Sequence, residues 1–377
     1  MLATFLLLSG TYWVQRLGNN WLVLLYLLLG TTGIYIASRL SERWLHQALN
    51  ERVINGVALG GLLLLFVSFL FVYPRVNCQQ PNCGSDRDDA LRLAAGELLA
   101  GRYPYYPQTY HGNPLTPMPG AVLLAVPFQL LGNVAYQTFF WLAAFFLFVR
   151  HLMGSSRQAA VLCGLMLLSP AVLHEIMTGG DLWTNGLYVL VLGGWVLISA
   201  ENNRSQLTLI SAILFGISLS SRPNFILFAP LLLALIDQQH GHRLMLRLLG
   251  VIAITTLAVT LPFYAYDPAH FAPIQRTSEL ADLDQITPYL GSIILPLSMV
   301  LLTGMLCLPR FQRDLATTFL YAGAIQLLPT IVGSVALSLD RSELDLQLMA
   351  FGPIFIAFGA LGAWMTKRQT PSVQTLI

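Results

Sequence analysis

The chain has few charges. Of its 377 residues 10% are charged and 55% hydrophobic, and the mean hydropathy is +0.65. Soluble domains carry about 25% charged residues, so a soluble globular class is excluded and a polytopic membrane protein is indicated. The net charge of +2 comes with no basic stripe, which leaves nucleic acid without an electrostatic footprint. No histidine pair stands at metal-ligand spacing, so a participating metal would be a hard divalent ion on carboxylates. The opening MLATFLLLSG has neither a basic stretch before its apolar run nor a small-residue cleavage site, so no secretory leader is read there. No inverted repeat of the transporter kind is visible.

Cysteine is also scarce, with four in all. Cys163 and Cys307 fall within apolar runs and read as core residues. Cys78 and Cys83 flank CQQPNC in a polar stretch. A disulfide is expected there if the stretch faces an oxidising compartment. A zinc site lacks a second pair of ligands nearby.

What the chain has in abundance is apolar helix. Apolar segments fall near 2–14, 20–40, 53–73, 119–131, 133–150, 158–177, 182–199, 207–221, 223–236, 245–266, 291–308, 315–338 and 345–365. A span needs roughly 20 apolar residues, and lipid forces backbone groups to pair within the segment. The expected fold is an all-α, polytopic bundle of about 11–13 helices, forming one transmembrane domain over 1–366 with a tail at 367–377. Sorting connections by basic residues puts 39–52, 150–157, 240–247, 309–313 and 367–368 on the cytoplasmic face. It puts 74–118, 178–181, 267–290 and 339–345 outside, in a plasma (inner) membrane. Two local readings make the signs alternate. The short segment 119–131 is re-entrant or interfacial, and 207–236 is two helices hinged at Ser220-Ser221-Arg222-Pro223, since a residue before proline is turned away from helix.

The longest polar stretch is 74–118, PRVNCQQPNCGSDRDDALRLAAGELLAGRYPYYPQTYHGNPLTPMP. Ser85 is an expected N-cap. Asp86, Asp88 and Asp89 fall in or beside the first helical turn, where the dipole favours acids. Leu91, Ala94, Ala95, Leu98 and Leu99 follow at helical spacing, which predicts an amphipathic helix over 86–100 lying along the membrane surface. Gly101 ends it. Tyr103, Tyr105, Tyr106 and Tyr110 suit an interfacial belt. An Asp88–Arg92 pair four residues apart would account for one of the acids, but three acids in four residues exceed what capping needs. Asp86-Arg87-Asp88 also matches the Asp-x-Asp of nucleotide-sugar enzymes, whose motif works in cytosolic domains, on the wrong face for this loop.

Ser85-Asp86, Ala94-Ala95, Leu98-Leu99, Gly101, Pro104-Tyr105 and Pro117-x-Pro119 resemble the first external loop of the GT-C glycosyltransferases. The resemblance is strongest to the polyprenol-phosphate-mannose-dependent, family 87 type. It covers most of the chain in topology and about 50 residues in motif. It implies an integral-membrane enzyme that moves a mannose-like sugar from a polyprenyl-phosphate carrier to a glycan or lipid acceptor on the external face, with inversion. It also implies an acid of the first external loop as general base. Asp86 matches that position most nearly, with Asp88 and Asp89 as alternatives.

The chemistry of the residues agrees. A carboxylate must take the acceptor hydroxyl's proton as the sugar gains oxocarbenium character, and a lipid-phosphate leaving group needs positive charge. Arg222, at a hinge inside apolar sequence, is a candidate for that contact, or an interfacial anchor. Asp181, after Gly179-Gly180, would orient the acceptor or help hold a cation; it would equally serve as the N-cap of the next helix. His174 and Glu175 lie one turn earlier and read as packing residues. Tyr105 and His111 complete the candidate substrate contacts, although a lone loop histidine is ordinarily solvated. Two other classes fit the composition: a transporter or lipid-carrier flippase, and a non-catalytic membrane subunit.

Overall fold

In a computed structural model the described residues are 1–18, 20–45, 50–77, 85–202, 205–275, 280, 282–311 and 314–369. They form an all-α bundle of 17 helices, and no strand occurs among them. The helices are α1 (Leu2–Leu8), α2 (Thr11–Gln15), α3 (Asn20–Leu45), α4 (Glu51–Val76), α5 (Arg87–Leu99), α6 (Pro119–Leu130), α7 (Gln137–Met153), α8 (Ser156–Leu167) and α9 (Pro170–Thr178). There follow α10 (Leu182–Glu201), α11 (Ser205–Leu219), α12 (Phe228–His240), α13 (His242–Tyr266), α14 (Ala272–Gln275), α15 (Leu295–Leu306), α16 (Leu315–Arg341) and α17 (Pro353–Gln369). Five helices are long and apolar enough to cross a membrane, and up to seven spans result if each of two bent pairs counts as one.

The apolar runs divide where the sequence contains helix breakers. The segment 119–131 becomes the 12-residue α6, bent by 103° from the helix that follows Gly132. At ~1.5 Å per residue it reaches ~18 Å, well short of the ~30 Å hydrocarbon core. The segment 158–177, read above as a single run, is instead broken by 83° between α8 and α9. The cause is Pro170, which sits at the start of α9 and holds Ser169 extended. The segment 2–14 likewise divides into α1 and α2 at Ser9-Gly10. The expected hinge in 207–236 is present: α11 stops at Leu219, Arg222 is extended, and α12 begins at Phe228.

Contacts sort the connections into two ends. At one end the Ser156 N–H donates to Glu51 Oε2 at 3.2 Å, and Ala200, Ser205, Leu244 and Arg247 line one open cleft. At the other end Arg87 reaches Glu175, Arg222 reaches Asp181, the Gly120 N–H donates to Ser220 O at 3.0 Å, and the Tyr103 hydroxyl donates to Phe263 O at 3.0 Å. Apart from the α11–α12 hinge, which carries Arg222, the connections named at this second end are acidic or mixed in charge. The grouping follows the sign pattern in the sequence.

α10 is the axial helix. In its apolar window 94% of residues are buried, against 11% in α3, 6% in α4 and 11% in α13, whose faces are left to lipid. Close approach to α10 depends on glycine. A Cβ on Gly186 would stand 2.7 Å from the Ile354 carbonyl oxygen, and one on Gly194 2.2 Å from the Phe148 ring. Small residues let helices pack this closely where lipid supplies no hydrophobic drive. A carbonyl in a helix cannot swing aside, so Gly186→Ala is expected to cost about 1–3 kcal/mol, read as a lower midpoint of thermal unfolding in detergent. An unchanged midpoint would mean that α10 and α17 are not held at this spacing.

Candidate functional site

Three segments meet at the second end: the start of α5, the turn between α9 and α10, and the α11–α12 hinge. α5 begins at Arg87 with Asp86 at the N-cap, one residue later than the sequence suggested, and Ser85 Oγ accepts weakly from the Arg87 N–H at 3.4 Å. The helix ends as expected at Ala100-Gly101, where Gly101 has φ +69°. Its apolar face does not lie on a membrane surface. Ala90, Leu91, Ala94 and Ala95 pack against Ala121, Val122 and Ala125 of α6 and against Tyr103, Tyr105, Leu115 and Phe271. The sequence reading of 119–131 as re-entrant or interfacial did not extend to this cover, because the pairing of α5 with α6 depends on the fold of the intervening loop.

The three acids of α5 point in different directions. Asp86 is half-buried; its Oδ2 accepts from Thr109 Oγ1 at 2.7 Å and Asn113 Nδ2 at 2.8 Å. Asp89 is buried, pairs with Arg92 three residues on, and accepts from the Tyr110 N–H at 3.3 Å. That pair replaces the expected Asp88–Arg92 pair, because Asp88 turns inward. Asp88 is 2% exposed and accepts through Oδ2 from the Tyr73 hydroxyl and the Asn77 amide, while its Oδ1 is buried without a partner.

Burial pushes the Asp88 carboxyl up to about 6, against the Tyr73 hydrogen bond that lowers it. The folded state therefore holds this proton more tightly than the unfolded chain. The stability it contributes is fully present below about pH 4 and is lost as pH rises through about 6. Asp88→Asn keeps an acceptor for Tyr73 and removes the buried charge. Its midpoint of thermal unfolding is expected to exceed that of the wild type above pH 6, by the equivalent of roughly 2–3 kcal/mol, and to match it near pH 4. A variant less stable at pH 7.5 would contradict the burial argument.

The α9–α10 turn is built around a carboxylate. Gly179 has φ +74°, and a Cβ there would stand 2.8 Å from the Tyr73 ring and 3.3 Å from Asp88 Cβ, so α5 seats directly on this turn. Glu175, 3% exposed, packs beneath Gly180, accepts from the Leu182 N–H at 2.9 Å and pairs with Arg87 at 3.1 Å. Glu175 is thus the anchor that fastens α5, a role its reading as a packing residue missed. Its signal was available, since an acid inside an apolar run is rarely without a partner.

Asp181 occupies the N-cap position of α10, but its side chain makes no capping bond. It is buried and takes Arg222 Nη2 on both oxygens, at 2.7 and 2.9 Å, with Asn185 Nδ2 at 3.0 Å. Asn185 in turn accepts from the Tyr188 hydroxyl at 2.7 Å. Arg222 is accordingly ion-paired with Asp181, and its buried Nε has no partner.

Asp86, Asp88, Asp181 and Arg222 therefore share one end of the bundle. Tyr105 and His111 stand apart from this cluster. Tyr105 is buried under Phe271, its hydroxyl donates to Pro117 O at 3.0 Å, and burial pushes its phenol well up. It fastens the loop, as does Tyr103, so the interfacial belt expected of these rings is not what those two form. His111 is exposed, beside the Tyr110 ring. Cys78 and Cys83 lie outside the described residues. Among the described residues no group of three or more His, Cys, Asp or Glu side chains is arranged to hold a metal ion. No family model, no curated protein and no solved structure matches this chain.

Proposed function

We propose that this chain is an integral-membrane glycosyltransferase of the GT-C kind. It takes a sugar, mannose-like by the resemblance, from a polyprenyl-phosphate carrier and passes it to a glycan or lipid acceptor on the external face. One observation carries the reading: an acid-headed helix is seated on a second acidic turn, whose buried Asp181 holds the part-exposed Arg222. Asp86 is the base, because it alone of the three α5 acids is only half-buried and open to an acceptor hydroxyl. The acceptor oxygen attacks the anomeric carbon from the face opposite the carrier. The bond from that carbon to the phosphate oxygen breaks, its electron pair leaves with the lipid phosphate, and the hydroxyl proton passes to Asp86. The Asp181–Arg222 pair sets the shape of the acceptor side.

The test is to incubate the purified protein in lipid with polyprenyl-phosphate sugars and cell-extract acceptors, and to follow release of free polyprenyl phosphate. Release supports the reading. No release across several sugars refutes it. A second reading, a lipid-carrier transporter, draws support from the two bent helix pairs, since discontinuous helices mark transporter sites. Movement of the intact carrier across vesicles without sugar transfer would establish it.

A further inference from the structure

Arg222 gives Nη2 to Asp181 and keeps an unpartnered Nε, and Arg87 is shared with Glu175, yet this end of the bundle holds a further arginine. A second group of polar side chains lies where α2, α3 and α9 meet. The Trp13 ring stacks on the His174 ring at 3.6 Å with 22° between planes. Tyr26 packs against Gly10, where a Cβ would stand 2.3 Å from its hydroxyl, and Pro170 closes the same corner. His174 sits in the field of both Arg87 and Arg16. Trp13 Nε1, the Tyr26 hydroxyl and His174 Nδ1 are all buried and without a hydrogen-bond partner. Three such atoms at one corner are more than a folded protein ordinarily leaves unpaired. The indole can only donate.

Arg16 is exposed and lies against the Tyr12 ring at 5.8 Å. Among the described residues it makes no salt bridge. It lies in the short connection between α2 and α3 at the acidic end of the bundle, where charge sorting disfavours arginine. The way in is lateral. α3 and α4 are neighbours in sequence, but among the described residues they do not pack along one another: α3 rests on α1, α2 and α8, α4 on α8 and α9. Between them the exposed Gly164 and Leu168 of the α8–α9 bend, with Leu173 38% exposed, present an apolar floor to lipid.

We propose that this corner seats the phosphate of a long-chain lipid monophosphate. The head lies on the exposed Arg16, with the Trp13–His174 stack behind it, and the chain enters between α3 and α4 over the α8–α9 bend. The identity of the lipid as the polyprenyl carrier rests on the glycosyltransferase reading; the phosphate seat does not.

The experiment is binding of polyprenyl phosphate to the full chain in nanodiscs, followed by native mass spectrometry, with phosphatidylglycerol and inorganic phosphate as parallel ligands. Arg16→Gln is expected to weaken polyprenyl phosphate by about tenfold or more. Arg16→Lys should restore part of it, and Arg247→Gln, at the other end of the bundle, should bind like the wild type. His174→Ala, at a second position, should weaken it as well. Wild-type affinity in both Arg16→Gln and His174→Ala overturns the assignment. So does equal binding of phosphatidylglycerol or of inorganic phosphate. Arg16-dependent binding in a protein that transfers no sugar would leave the seat standing and remove the enzyme reading.

Discussion

Asp86→Asn is expected to lower sugar transfer by about 10²–10⁴-fold, the usual contribution of a positioned general base. The fold should survive. Asparagine keeps an oxygen for Thr109 Oγ1 and Asn113 Nδ2, which hold Asp86 at 2.7 and 2.8 Å, and it remains a good N-cap. The comparison that decides the matter is Asp88→Asn. Asp88 has a raised carboxyl, at about 6, which suits proton transfer near neutral pH, but its free oxygen is buried away from any acceptor. Release of polyprenyl phosphate should therefore collapse in Asp86→Asn and persist in Asp88→Asn. The reverse pattern would make Asp88 the base and require the α5–Gly179 seam to open during turnover.

The largest effect on stability should come from Arg222→Ala. It strands Asp181, 1% exposed, with only Asn185 as a donor. Removing one member of a buried pair costs about 3–5 kcal/mol, because the remaining charge has lost its compensation. The double variant Asp181→Asn with Arg222→Met should recover most of that loss, since no charge is then buried. Thermal melts of the wild type, Asp181→Asn, Arg222→Met and that double variant give the coupling directly. If Arg222→Ala alone melts like the wild type, the pair is not what ties the α11–α12 hinge to the head of α10.

The sequence made the class readable because lipid enforces it: apolar length sets spans. The hinge at Arg222-Pro223 was readable for the same reason, as proline acts on its neighbour locally. The break at Ser169-Pro170 carried the same local signal but lay inside an unbroken apolar run. What was hidden is whatever depends on partners distant in sequence. Asp86, Asp88 and Asp89 look alike in the chain, and only the fold gives them Thr109, Tyr73 and Arg92 respectively. Arg222 read as a phosphate contact or an interfacial anchor, and only the fold gives it Asp181, 41 residues away. The tyrosines after Gly101 looked interfacial, yet Tyr103 and Tyr105 face inward because α13 and Phe271 lie over them.

The contact between Gly120 and Ser220 bears on the order in which the protein assembles. The Gly120 N–H meets both the carbonyl and the hydroxyl of Ser220, and a Cβ on Gly120 would stand 2.1 Å from Ile217 O. The backbones are in direct register across 100 residues of chain. At ~5–20 residues per second of synthesis, α6 waits ~5–20 s for its partner to emerge. α5, whose apolar face is covered by α6, waits with it. α5 and its three acids therefore take their final places only after the α11–α12 hairpin has been inserted, so the end of the bundle that gathers Asp86, Asp88, Asp181 and Arg222 is completed late in biogenesis.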